Sequence, residues 1–175
     1  MTKFLLSVHV LAAIITIGPV TVAASMFPPA ARRALAAEDP TSAGHELTVL
    51  RTLYRICQLY AAVGLVVPTF GLATASSLGV LGEAWLIVSI VLTAAAAAVL
   101  VLLVLPRQAK ILAELTPPAA GAAATAPTSA PTSAQTATQA RKVSARLAMH
   151  TGIFNLLWAV VTVLMILRPG STTNA

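Results

Sequence analysis

Apolar residues run without an interrupting charge over four stretches: Phe4 to Phe27, Ile56 to Leu78, Ala84 to Leu105 and Leu147 to Leu167. Each meets the roughly 20 residues that a helix needs to cross about 30 Å of hydrocarbon. An apolar run of that length in lipid must be helical, because every backbone N–H and C=O has to find its partner inside the segment. Only SSLGVLGE, residues 76–83, separates the second run from the third, so those two form an antiparallel hairpin with a tight turn. The pattern predicts an all-α fold, a four-transmembrane-helix bundle.

The polar segments refine this outline. Asp39-Pro40 reads as an N-cap followed by proline at the first helical position, and Leu47, Leu50, Tyr54, Cys57 and Ala61 follow at helical spacing. The second helix should therefore begin near Pro40 and enter the membrane near Arg55. Between the third and fourth runs lies TPPAAGAAATAPTSAPTSAQTATQA, residues 116–140, which carries no charge and repeats APTS. Its proline and small polar residues cannot bury enough apolar surface to order themselves, and it reads as a disordered tether. The expected organisation is residues 1–115 with three spans and the first polar loop, the tether at 116–140, and residues 141–175 with the fourth span and a short tail.

Composition agrees with the pattern: 58% of the 175 residues are hydrophobic and 9% charged. The net charge of +6 does not point to nucleic acid, since no basic residues alternate with aromatics on a foldable surface. The charge sorts by side instead. With four spans, residues 28–55 and 106–146 share one face of the membrane and carry Arg32, Arg33, Arg51, Arg55, Arg107, Lys110, Arg141, Lys142 and Arg146, whereas the termini and the short turn carry Lys3 and Arg168. By the positive-inside rule the two long loops are cytoplasmic and both termini lie outside. A bacterial inner membrane is the expected location. Lys3, the first apolar run and Ala23 to Ser25 also resemble a cleaved signal peptide. The run is longer than a usual signal core, which favours a retained helix.

Small residues let helices approach closely in lipid, and Gly18, Gly64, Gly71 and Ala75 are the expected packing positions. Pro19 and Pro68 are expected to bend their helices and open a shallow groove. The third span has a smooth Ala/Val/Leu surface, with Ser89 and Thr93 its only polar residues, and is free to dock on a larger membrane protein.

Candidate chemistry is sparse. The chain contains no GxSxG, no glycine-rich phosphate loop, no HExxH and no CxxC, and its carboxylates, Glu38, Asp39, Glu46, Glu83 and Glu114, all lie outside the spans. No catalytic residue, metal site or cofactor is expected from these patterns. His9 stands out as an ionisable group within a span. Placed about five residues in, it lies roughly 8 Å from the outer surface, level with Glu83, Trp85 and Arg168, and His9, Glu83 and Arg168 are expected to form an outer polar cluster. His150 should lie within a turn of the opposite surface, beside Arg51, Tyr54, Arg55, Gln58 and Arg146. Arg51, Arg55, Arg146 and His150 are expected to meet lipid headgroups or to set the topology. The two imidazoles are then about 18 Å apart along the membrane normal. One haem would hold them about 4 Å apart, so they cannot share one. His45 reads as solvated and Cys57 as a packing residue.

HVLAAIITIGP, FPPAARR, WLIVSIVLTAAAAAVLVLLVLPRQAKIL and LLWAVVTVLMILRPG resemble a family of short four-helix bacterial integral membrane proteins of unknown function. That family is distantly similar to the membrane domain of copper-resistance protein D and to the bacterial membrane protoporphyrinogen oxidase. The resemblance covers most of the chain outside residues 116–140. It matches His9 to the family's first-helix histidine and Gly18 to the glycine that follows, with Ile17 where the family has an aromatic. It implies haem or copper handling at His9. From the residues themselves the expected function is different: a non-enzymatic accessory subunit, with membrane lipid and a larger integral membrane complex as partners. A lipid importer of the envelope is the first host expected and a respiratory assembly the second.

Overall fold

A computed structural model describes residues 2–116 and 133–170. It is all-helical among those residues, and four of its helical stretches are long and apolar enough to cross a membrane: Lys3–Ala36, Pro40–Leu78, Ala84–Leu115 and Ser144–Leu167. The elements are α1 (Thr2–Ala36), α2 (Pro40–Val63), α3 (Val66–Leu78), α4 (Ala84–Ala98), a π-helical turn (Val99–Val104), α5 (Leu105–Leu115) and α6 (Ser133–Leu167). Residues 117–132 of the expected tether lie outside the described part. Its last residues, from Ser133, already belong to α6.

Helix α1 is longer than its apolar run. It continues through Pro28 and Pro29 to Ala36, although two prolines remove two intrahelical donors. Packing supplies the reason, since Phe27, Ala30 and Ala31 in this stretch are all buried in the main core. A three-residue link, 37–39, then leads into α2, whose start is capped as the sequence predicts: Asp39 accepts from the Ser42 backbone N–H at 3.0 Å and Pro40 occupies the first turn. Across this link Arg33 pairs with Glu46 at 2.8 Å.

The second span is broken. Helical hydrogen bonding stops after Val63 and resumes at Val66, with Leu65 N–H bonding Ala62 and Val67 N–H bonding Gly64 in tighter, three-residue turns. Pro68 is the cause within reach: it has no N–H for the Gly64 carbonyl, and its ring disfavours a regular helix just before it. In the third span the turn before Pro106 widens instead, and Leu105 N–H reaches the Leu100 carbonyl five residues back. By contrast α1 runs unbroken through Pro19.

The helices surround a core in which α1 carries Val20, Ala23, Ala24, Phe27, Ala30 and Ala31, α2 carries Leu50, Leu53 and Cys57, α4 and the π turn carry Ala96, Leu100 and Val104, and α5 and α6 complete it with Ile111, Leu112, Leu147 and Phe154. This core lies toward the end that holds the 37–39 link. At the opposite end a second cluster joins Ala75, Val80, Trp85 and Leu86, with Met165 against it. Between the two clusters the arms of the hairpin lean on different neighbours, α3 along α1 and α4 along α6. The bundle is therefore open on one side about half-way along its spans.

Candidate functional site: an intramembrane histidine and a lateral cleft

His9 lies on the face of α1 that meets α3. Its Nδ1 is 2.9 Å from the Val67 carbonyl oxygen. A carbonyl can only accept, so Nδ1 carries the hydrogen, and in the neutral ring Nε2 carries the lone pair. The ring rests against Gly71: a Cβ there would fall 2.9 Å from His9 Cε1 and 3.2 Å from Nδ1, so glycine is what allows the imidazole to reach the backbone of α3.

Two turns further along the same face of α1, Thr16 approaches the break. A Cβ on Gly64 would lie 3.4 Å from Thr16 Cγ2 and 2.9 Å from the Tyr60 carbonyl. Here a cleft of about 300 Å³ opens between the α2–α3 break on one side and α4 with the π turn on the other, floored by α1 and α6. Its walls are mainly apolar, with Pro68, Leu100 and Phe154 among them, and its polar side chains are Thr16, Tyr60, Thr93 and Trp158. Phe154 and Trp158 meet edge-to-face, with ring centroids 6.5 Å apart.

The hydroxyls of the spans sort into two kinds. Those of Thr69, Thr74, Ser89, Thr93 and Thr162 all donate to a carbonyl four residues back, which is how a threonine or serine hydroxyl is satisfied in a lipid-embedded helix. Thr16 is 4% exposed, yet its hydroxyl has no hydrogen-bond partner among the described residues. Tyr60 and Trp158 are half-buried, and the Tyr60 hydroxyl and the Trp158 indole N–H also make no hydrogen bond among the described residues.

The sequence-predicted sites distribute as follows. His9 donates to the Val67 carbonyl, and Arg168 stacks over the Trp85 ring, 5.7 Å from its centroid. His150 Nδ1 donates to the Arg146 carbonyl in its own helix, and Arg51 donates to Thr116 Oγ1 at 3.4 Å. Arg55 and Arg146 are exposed near the same end of the bundle. The two histidines thus have separate partners on different elements. Of the expected packing positions, Gly64 and Gly71 make close approaches and Ala75 is buried against the hairpin turn. Gly18 is a correction: it is exposed and a Cβ there would meet nothing within 4 Å, because it falls on the outward face of α1. Cys57 is fully buried, with Gln108 Nε2 at 3.7 Å from its sulfur. The cleft itself escaped the sequence reading except for one signal, the bend and groove expected at Pro68. Among the described residues, no three or more His, Cys, Asp or Glu gather in a way that could hold a metal ion.

No family model, no curated protein and no solved structure matches this chain. The resemblance to the short four-helix family rests on the quoted residues alone.

Proposed function

We propose that the chain is a non-enzymatic accessory subunit of a larger complex in the bacterial inner membrane, and that it holds an apolar molecule for that complex within the bilayer. The observation that supports this reading is the lateral cleft. A bundle built only to stand in a membrane gains by closing its helices on one another, whereas this one breaks a span at Gly64 and Leu65 and leaves a cavity beside the break. The outward face of α4, with Ile87, Val88 and Val91 exposed, offers an apolar surface to a host. A lipid importer of the envelope and a respiratory assembly are the candidate hosts. The test is purification of the tagged full chain from fresh membranes in mild detergent, followed by mass spectrometry. A larger integral membrane complex is expected to accompany the chain in fixed proportion, and a chain that repeatedly runs alone refutes the reading.

A second reading, haem or copper handling at His9, is favoured by one observation. A ligating histidine characteristically donates its other ring N–H to a backbone carbonyl or carboxylate, which sets the tautomer and aims the ring. The His9–Val67 bond does this and leaves Nε2 as the ligand atom. One imidazole suits a haem axial position, while a copper site needs further ligands that the described residues do not gather beside it. An absorption spectrum and metal analysis of the purified protein discriminate the readings. Haem lost on His9→Ala substitution supports this one, and a colourless, metal-free protein from cells supplied with both removes it.

A further inference from the structure

We propose that the cleft beside the α2–α3 break binds the ring of an isoprenoid quinone. The proposal rests on the ligand-holding reading above and names the class of ligand.

Three features of the cleft select this occupant. First, three of its four polar side chains, Thr16, Tyr60 and Trp158, are hydrogen-bond donors that make no hydrogen bond among the described residues. The Thr16 hydroxyl is the clearest: the residue is 4% exposed and lines the cleft, and its hydroxyl forgoes the back-bond to its own helix that Thr69, Thr74, Thr93 and Thr162 all make. The Tyr60 hydroxyl and the Trp158 N–H add two more donors on the opposite wall and the floor. A donor that lines a cleft within the bilayer, away from water, gains a partner when the ligand brings the acceptor. Second, no charged residue lines the cleft, so a phosphate or carboxylate is not matched there. Third, the cleft is walled by aromatic rings, Tyr60, Phe154 and Trp158, which suit a flat ring, and its volume of about 300 Å³ lies at the small end of the range for ligand pockets.

The location narrows the choice further. The cleft sits about half-way along the spans and opens sideways, so its ligand arrives from the bilayer. The acyl chains of a phospholipid pass that depth but carry no acceptor there, since their ester groups lie at the interface. A quinone combines a flat ring, carbonyl acceptors on its edges and an apolar tail that can remain in the lipid.

The experiment uses the full chain in nanodiscs, with Trp85→Phe so that Trp158 is the sole tryptophan. Quinones quench nearby indole fluorescence. A short-tailed ubiquinone or menaquinone analogue is expected to quench Trp158 saturably, and Thr16→Val and Tyr60→Phe are each expected to weaken the apparent affinity about three- to ten-fold, the usual worth of one hydrogen bond. Ala61→Phe, which fills the cleft wall without removing a donor or adding a tryptophan, should abolish saturation, with helicity checked by circular dichroism. Squalene, an isoprenoid without carbonyls, should not displace the quinone. Quenching that stays linear in folded protein, that is insensitive to both Thr16→Val and Tyr60→Phe, or that squalene reverses, overturns the proposal. These readings are taken on the isolated chain, so their failure leaves the host-complex test unaffected, and the reverse also holds.

Discussion

Gly71 and His9 show how one missing atom positions another residue's chemistry. The imidazole occupies the place a Cβ would take, and the Val67 carbonyl completes its seat. Gly71→Leu should therefore expel the ring or push α3 from α1, at a cost of roughly 1–3 kcal/mol, the usual range for overpacking. Gly18→Leu should change stability little, within about 0.5 kcal/mol, because the new side chain points outward from the bundle. Thermal unfolding of the two variants in the same mild detergent checks the contrast, and equal losses would contradict the geometry. His9 was legible in the sequence because an ionisable group inside an apolar run is conspicuous. Its partner was not, since Val67 is 58 residues away and contributes a backbone oxygen that no side-chain pattern announces. Thr16 was invisible for a related reason: in sequence a threonine within a span looks like any other, and only the fold places it on the cleft.

Among the elements, the start of α2 is the one most directly written in its residues. Asp39 is held below the ordinary carboxyl value of 3.8, chiefly by the Ser42 backbone N–H, with weaker hydrogen bonds from the Ser42 hydroxyl and from Thr41. A carboxyl depressed in the folded state stabilises it above the ordinary value, and this contribution is lost as pH falls through and below 3.8. The Ser42 amide should therefore exchange slowly near neutral pH and faster well below the ordinary carboxyl value of 3.8, after correction for intrinsic rates. Asp39→Ala should show the fast behaviour at both, by hydrogen exchange and mass spectrometry. Other boundaries departed from local rules. Pro28 and Pro29 read as the end of a helix, yet α1 passes through them because Phe27, Ala30 and Ala31 are buried in the core. Pro68 coincides with a break, Pro106 follows a π turn, and Pro19 disturbs nothing enough to end the helix. Five prolines in apolar helices thus have three outcomes, and the differences lie in what packs around each.

For the whole molecule, the nine-to-two division of Lys and Arg predicts that the two long loops are cytoplasmic and the hairpin turn lies outside. In a Cys57→Ala background, cysteine at Leu81, exposed in the hairpin turn, should react with an impermeant thiol reagent in intact spheroplasts. Cysteine at Glu38, exposed in the 37–39 link, should react only after lysis. The reverse result inverts the orientation, and labelling of both sites from one side means that the number of crossings differs from four. The architecture adds a constraint of its own. Because α3 leans on α1 and α4 on α6, the cleft is held open by helix partnering at both ends, by the main core at one and by Ala75, Val80, Trp85 and Leu86 at the other. The Arg168 guanidinium over Trp85 ties the end of α6 to the start of α4 at that second cluster.

The sequence by itself determined that the chain is helical, that four of its stretches can cross a membrane, and where α2 begins. Each follows from local physics: backbone groups in lipid must pair within a segment, and an aspartate before a proline caps a helix wherever it stands. Only the tertiary structure decided that Thr16, Tyr60 and Trp158 border one cleft, that His9 is seated on the backbone of α3, and that Gly18 faces away while Gly71 faces inward. These depend on which face each helix turns toward its neighbours. In apolar spans that choice leaves almost no trace in the sequence, because the inward and the lipid-facing sides are built from the same alanine, valine and leucine. The physical distinction is close packing against side chains rather than lipid tails, and it exists only once the helices have met.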